Sequence, residues 1–157
     1  MAYQKLQVSR ALDVIKSDNA NIPSPALIVQ GVNNNVIVNE LEDTDVNFNA
    51  LNVQVGDVVY NTSDGTAATV NQVVDDTRLL LNANIFTGTS KTYKLYSQNQ
   101  ENEGCVLYIG SGGNLRVQTH AGDDIIFYNV LGGTFLPVQV LKVFSTGTSA
   151  ANIVALW

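Results

Sequence analysis

The chain has 157 residues, one cysteine and a formal net charge of −6. A lone cysteine excludes an intramolecular disulfide, an acidic chain with no run of Lys or Arg argues against a groove that tracks nucleic-acid phosphates, and no apolar stretch reaches the roughly 20 residues of a membrane-spanning helix. Charged residues make up only 14%, against about 25% in ordinary globular domains, so Asn, Gln, Ser and Thr must supply much of the surface. Polarity without charge suits a protein packed among neighbours.

In chain order, MAYQKLQVSR has no apolar core and does not read as a signal peptide, which implies synthesis in the cytoplasm. In residues 8–15, Val8, Leu12 and Ile15 can share a helical face, whereas an extended course puts Leu12 and Val14 on one side. The extended reading is preferred, because Ile22-Pro23-Ser24-Pro25 follows and biases the chain away from helix. Short runs of Val, Ile, Thr, Tyr and Phe then alternate with Gly, Asn, Asp and Ser clusters, the rhythm of an all-β sandwich or barrel. Residues 53–55 read as a strand approach, Gly56-Asp57 as a tight turn, and 58–60 as a strand. Asp64-Gly65 is a hairpin signal. Residues 69–74 return, Asp75-Asp76-Thr77 turns, and 78–81 and 93–96 supply further strands. Such a meander most easily closes as a small SH3-like barrel.

The polar segment 97–104 reads as a linker, with a matching polar seam at 31–35. Residues 105–110 form a nearly continuous apolar run, expected for a strand covered on both faces. Ser111-Gly112-Gly113-Asn114 reads as a turn, 115–119 alternates as a half-exposed strand, and 121–124 turns again into 125–130. Two closing strands follow in 133–157. The expected organisation is a jelly-roll-like β-sandwich from residues 1–30 plus 101–157, with 31–100 inserted as a small β-barrel or meander.

Catalytic or metal-binding chemistry finds little purchase. His120 is the only histidine and sits in a turn without a second ligand at zinc spacing. No Gly-x-Ser-x-Gly elbow accompanies any serine. Glu40, Glu42, Asp43 and Asp45 are the densest acidic cluster but lack the bend glycine of a calcium loop. Asp75-Asp76 and Asp123-Asp124 are turn residues that cap their own backbone. Gly110-Ser111-Gly112-Gly113 lacks the Lys and following helix of a phosphate loop. No enzyme activity, cofactor or metal is expected.

The closing stretch is the most informative. Val138 and Val140 point one way in a regular strand, and Leu141 and Val143 the other. Ile153, Ala155 and Trp157 share one face, while Val154 and Leu156 share the opposite one. Two-sided apolarity demands either a bulge or burial on both faces, and an exposed apolar end is an aggregation hazard. Phe135, Leu136, Phe144, Val154, Leu156 and Trp157 are therefore expected at an interface. Deleting residues 154–157 is expected to leave the meander intact and abolish assembly.

The strings Cys105-Val106-Leu107-Tyr108-Ile109-Gly110, Gly113-Asn114-Leu115-Arg116-Val117, Phe127-Tyr128-Asn129-Val130, Gly133-Thr134-Phe135-Leu136-Pro137-Val138 and Ile153-Val154-Ala155-Leu156-Trp157 resemble small β-sandwich virion proteins of tailed phages, the head-spike-base and capsid-decoration group. Gly56-Asp57-Val58-Val59-Tyr60-Asn61 looks like inserts in structural proteins of marine phages. The resemblance implies a homo-oligomer, a trimer or pentamer, on the capsid surface of a virion. It implies docking to the major capsid protein or to a spike or fibre, with no nucleic-acid or membrane partner. A tail or neck component is an alternative. So is a host-glycan-binding module using Tyr93, Tyr96 or Tyr128.

Overall fold

A computed structural model of the protein describes residues 8–98 and 104–157. Within them the fold is all-β, a sandwich class built of two six-stranded antiparallel sheets. The first contains β1 (Ala11–Asp13), β8 (Cys105–Ser111), β9 (Gly113–Thr119), β10 (Asp124–Val130), β11 (Thr134–Val143) and β12 (Ala151–Leu156), in the order β1-β12-β8-β11-β9-β10. The second contains β2 (Leu27–Val32), β3 (Glu40–Glu42), β4 (Val58–Asn61), β5 (Thr66–Val73), β6 (Arg78–Leu81) and β7 (Thr92–Tyr96), in the order β2-β7-β4-β5-β6-β3.

The preferred extended reading of residues 8–15 holds at β1, and β4 and β5 form the hairpin expected at Asp64-Gly65. Several expectations change. The second sheet's end strands, β2 and β3, do not pair with each other, so the meander β4-β5-β6 does not close into a barrel. Its core is filled by Leu41 on the end strand β3, by Tyr93 on β7, and from loops by Phe48 and Phe86. Those two loop rings supply packing that a closed barrel would draw from strands. Strand β2 pairs with β7, so the sheets divide between β1 and β2, and a seam at residue 31 falls inside β2. Residues 53–55 are loop, tied by the Val53 amide to the Phe48 carbonyl and by Asp57 Oδ2 accepting from the Gln54 amide. The linker assigned to 97–104 lies mostly outside the described residues.

In the first sheet, Cys105, Leu107, Ile109, Leu115, Val117, Leu136, Val140, Val143, Ile153 and Ala155 bury one shared face. Strand β8 is covered on that face, while Val106 and Tyr108 on the other are only half-buried. The apparent reversal in β11 is a bulge: the register shifts between Val140 and Lys142, so Val140 and Val143 both point inward. Ser111-Gly112-Gly113 is not a hairpin turn. It carries the chain from β8 past β11 to β9.

Residues 14–25 strap the sheets together. The amides of Val14, Ser17 and Ile22 donate to carbonyls of Ile153, Val143 and Leu141 in the first sheet. Ser17 Oγ donates to the Ala67 carbonyl of the second, and the Asn19 carbonyl accepts from Thr69 Oγ1 and Asn82 Nδ2. Beneath the strap Ala20, Val58, Tyr60, Ala67 and Tyr96 form a junction core, with the Tyr60 and Tyr96 rings edge to face at 5.5 Å.

Asp18 closes the strap onto the β11–β12 loop, accepting from Ser145 Oγ at 2.9 Å, the Thr146 amide at 3.1 Å and Thr146 Oγ1 at 2.7 Å. The Thr146 hydroxyl bond, with lesser help from the other donors, holds this carboxyl below its ordinary value. A depressed folded-state value contributes stability above the ordinary carboxylate range and loses it as pH falls below that range. Asp18→Ala should therefore cost about 1 kcal/mol at neutral pH, solvent screening reducing what a buried charged bond gives. The gap from wild type should shrink below pH ~4, as read by urea unfolding across that range.

Candidate docking surface

The outer face of the first sheet carries an apolar stripe across three adjacent strands. In the antiparallel register Val154 on β12 lies opposite Tyr108 on β8, and Tyr108 lies opposite Phe135 on β11. Leu156 sits beside Val106 in the same way. Facing pairs share a side of the sheet, so these five side chains form one surface. The rings of Tyr108 and Phe135 are 5.3 Å apart and tilted by 57°, which fixes them in place. Phe135 is 63% exposed and the others are half-buried.

The six residues expected at an interface thus separate. Phe135, Val154 and Leu156 join the stripe. Leu136, at 8% exposure, faces the first sheet's own core. Phe144 is stacked by cations of its own chain, with Arg116 Cζ 4.3 Å and Lys142 Nζ 5.4 Å from its ring centroid. Trp157 packs against the first core, its amide donating to the Arg10 carbonyl and its own carbonyl accepting from the Ser9 and Arg10 amides. Val106 and Tyr108 complete the stripe; reading 105–110 as covered on both faces concealed them. Because β12 lies between β1 and β8, deleting residues 154–157 would remove half of an interior strand. That deletion tests folding, and point substitutions on the stripe test docking.

Most of the acidic side chains singled out in the sequence have partners within the fold. Asp75 pairs with Arg78 at 2.8 Å and Asp124 with Arg116 at 2.6 Å. Asp76 accepts from Asn49, Asp123 from Thr119, and Glu42 from Asn35. Asp43 is buried and accepts from the Tyr93 hydroxyl at 2.7 Å. His120 is exposed in its turn. Among the described residues, no three His, Cys, Asp or Glu side chains converge as a metal site. A groove of about 380 Å³ lies over Gln30, Gly31, Val32, Thr62, Thr92, Tyr93 and Lys94. Tyr93 and Tyr96 are buried, which removes them as stacking platforms for a glycan; Tyr128 is exposed.

Fold and surface together define a two-sheet antiparallel β-protein with an aromatic–aliphatic stripe on the outside of one sheet. No family model, curated protein or solved structure matches the chain.

Proposed function

We propose that this chain is a non-enzymatic structural protein of a phage virion, a capsid-decoration or head-spike-base component that works by docking. The observation that carries the reading is the stripe of Val106, Tyr108, Phe135, Val154 and Leu156, an apolar surface held on a rigid sheet rather than on a loop. Contiguous exposed apolar surface marks interaction sites, and an aromatic anchor at its centre is the usual source of affinity. The low charge content supports the same reading, since interface cores are depleted of charge. The virion setting comes from the sequence resemblance of the C-terminal third.

Phe135→Asp should leave the thermal midpoint nearly unchanged, because the side chain is mostly in solvent, yet lower co-sedimentation with virions by at least about tenfold, the loss of a typical hot-spot residue. Full retention of the variant on particles removes the stripe as the docking face. Absence of the wild-type chain from purified particles removes the virion reading.

A further inference from the structure

We propose that β10 is a self-association edge, pairing antiparallel with β10 of a second copy about a twofold axis at Ile126. This goes beyond the docking stripe, which occupies β12, β8 and β11. Each sheet has two end strands, and an end strand presents backbone groups to another strand unless they are capped, as the Glu42 carbonyl of β3 is by the Asn34 amide. Three of the four are poor templates. Strands β1 and β3 have three residues each, with Asp13 ending one and Glu40 and Glu42 flanking the other. Strand β2 is broken in register after Leu27 and carries Gly31 near its end.

Strand β10 differs. It has seven residues, no Pro or Lys, and a single charge, Asp124, already engaged by Arg116 at 2.6 Å. Residues 125–141 contain no charged side chain at all. Within that stretch Ile125 is 45%, Tyr128 69% and Leu131 73% exposed. With Phe135 they make four of the eleven exposed large apolar residues among those described.

The strand's match to itself about a twofold axis names the occupant, and charge decides where that copy can approach. A second copy brings another six net negative charges, so it can approach closely only along an uncharged seam. The register between β9 and β10 is continuous from Asp124 to Phe127 and breaks after it, so the usable template is the first half of β10. An axis at Ile126 sets Ile125 against the partner copy's Phe127, and the reverse. Both residues lie on the inner face, opposite Val117 and Leu115. Phe127 already packs against the first core, and Ile125 is left half open. The pairing therefore continues that core across the axis. The two Asp124 carboxylates end up ~13 Å apart along the strands, beyond the screening length of about 8 Å. The product is a twofold dimer, in place of the trimer or pentamer that the resemblance implies.

Light scattering on the full chain should give twice 16.9 kDa. Ile126→Lys, which sets two cations against each other at the axis, should bring the mass to that of one chain without loss of β-sheet circular dichroism. Ile126→Cys should form a reducible dimer on mild oxidation, with Leu131→Cys as the exposed off-axis control; Cys105 is buried. This cross-link decides the matter alone if Ile126→Lys does not fold. Phe135→Asp should keep the dimer mass while losing particle binding, so failure of the stripe and failure of the edge are told apart. A monomeric wild type, an oligomer whose mass Ile126→Lys leaves unchanged, or Ile126→Cys cross-linking no faster than Leu131→Cys overturns the proposal.

Discussion

Gly112→Val is expected to destabilise the protein by about 3 kcal/mol or more, the upper end of overpacking costs. A Cβ at Gly112 would lie 2.6 Å from the Val130 carbonyl oxygen and 2.9 Å from the Gly132 amide. Both obstacles are backbone, so no side chain can swing aside. The crowding extends to its neighbours. A Cβ at Gly110 would lie 2.6 Å from the Asn152 carbonyl oxygen, and one at Gly113 would lie 2.7 Å from the Ala150 amide. Bare backbone meets bare backbone here because the chain must leave β8, pass β11 and enter β9 through one corner. The matched control is Gly122→Ala, where φ is +96° but no atom lies within 4 Å of the new carbon. There the cost is only left-handed strain, roughly 1 kcal/mol. Thermal midpoints should fall by roughly 2–4 °C per kcal/mol for a chain of this length. Equal losses at the two glycines would mean that the corner is not packed as described.

The same corner shows what the sequence can and cannot convey. Ser111-Gly112-Gly113-Asn114 has turn chemistry, yet β8 runs through Ser111 and β9 starts at Gly113, with only Gly112 between them. Local residues, however, do not specify whether the next strand lies beside the last or beyond an intervening one. That choice is made by β11, more than twenty residues downstream, inserting between β8 and β9. Strands whose identity is local were legible: the Asp64-Gly65 hairpin, the alternation of β9, and the bulge offered as one answer to the two-faced pattern of β11. Features decided by distant partners were not. Strand β2 joins the second sheet because β7 lies alongside it, although its own sequence fits either unit. The outward side of β8 was hidden because Val106 and Tyr108 are as apolar as the inward Cys105 and Leu107. Nothing in such a run distinguishes a covered face from one available for docking. Tyr93 and Tyr96 read as surface aromatics because tyrosine suits both settings; a buried acceptor 50 residues upstream places Tyr93 inside.

That acceptor is Asp43, 2% exposed, and Tyr93→Phe is expected to cost about 2–3 kcal/mol by leaving its buried oxygen without a donor. Asp43 Oδ2 takes the Tyr93 hydroxyl at 2.7 Å, and Oδ1 takes the Asp45 amide at 3.0 Å. The pair fits only because residue 31 is glycine: a Cβ there would collide with Asp43 Oδ2 and approach the Tyr93 hydroxyl to 2.8 Å. Burial, reinforced by the bond to Asp43, pushes the Tyr93 hydroxyl far above its ordinary value of 10.0. A raised folded-state value means stability fully present below pH ~10 and lost as pH climbs past it, since the unfolded chain releases this proton first. The wild type should therefore weaken in urea from about pH 10 upward. Tyr93→Phe, already weaker at neutral pH, should lose less over the same interval. Tyr60, raised chiefly by its own desolvation at the junction core, keeps a residual alkaline slope in the variant. A variant as stable as wild type at neutral pH, or one with an unchanged alkaline slope, would mean that the Asp43–Tyr93 bond is not what anchors β7 to the loop after β3.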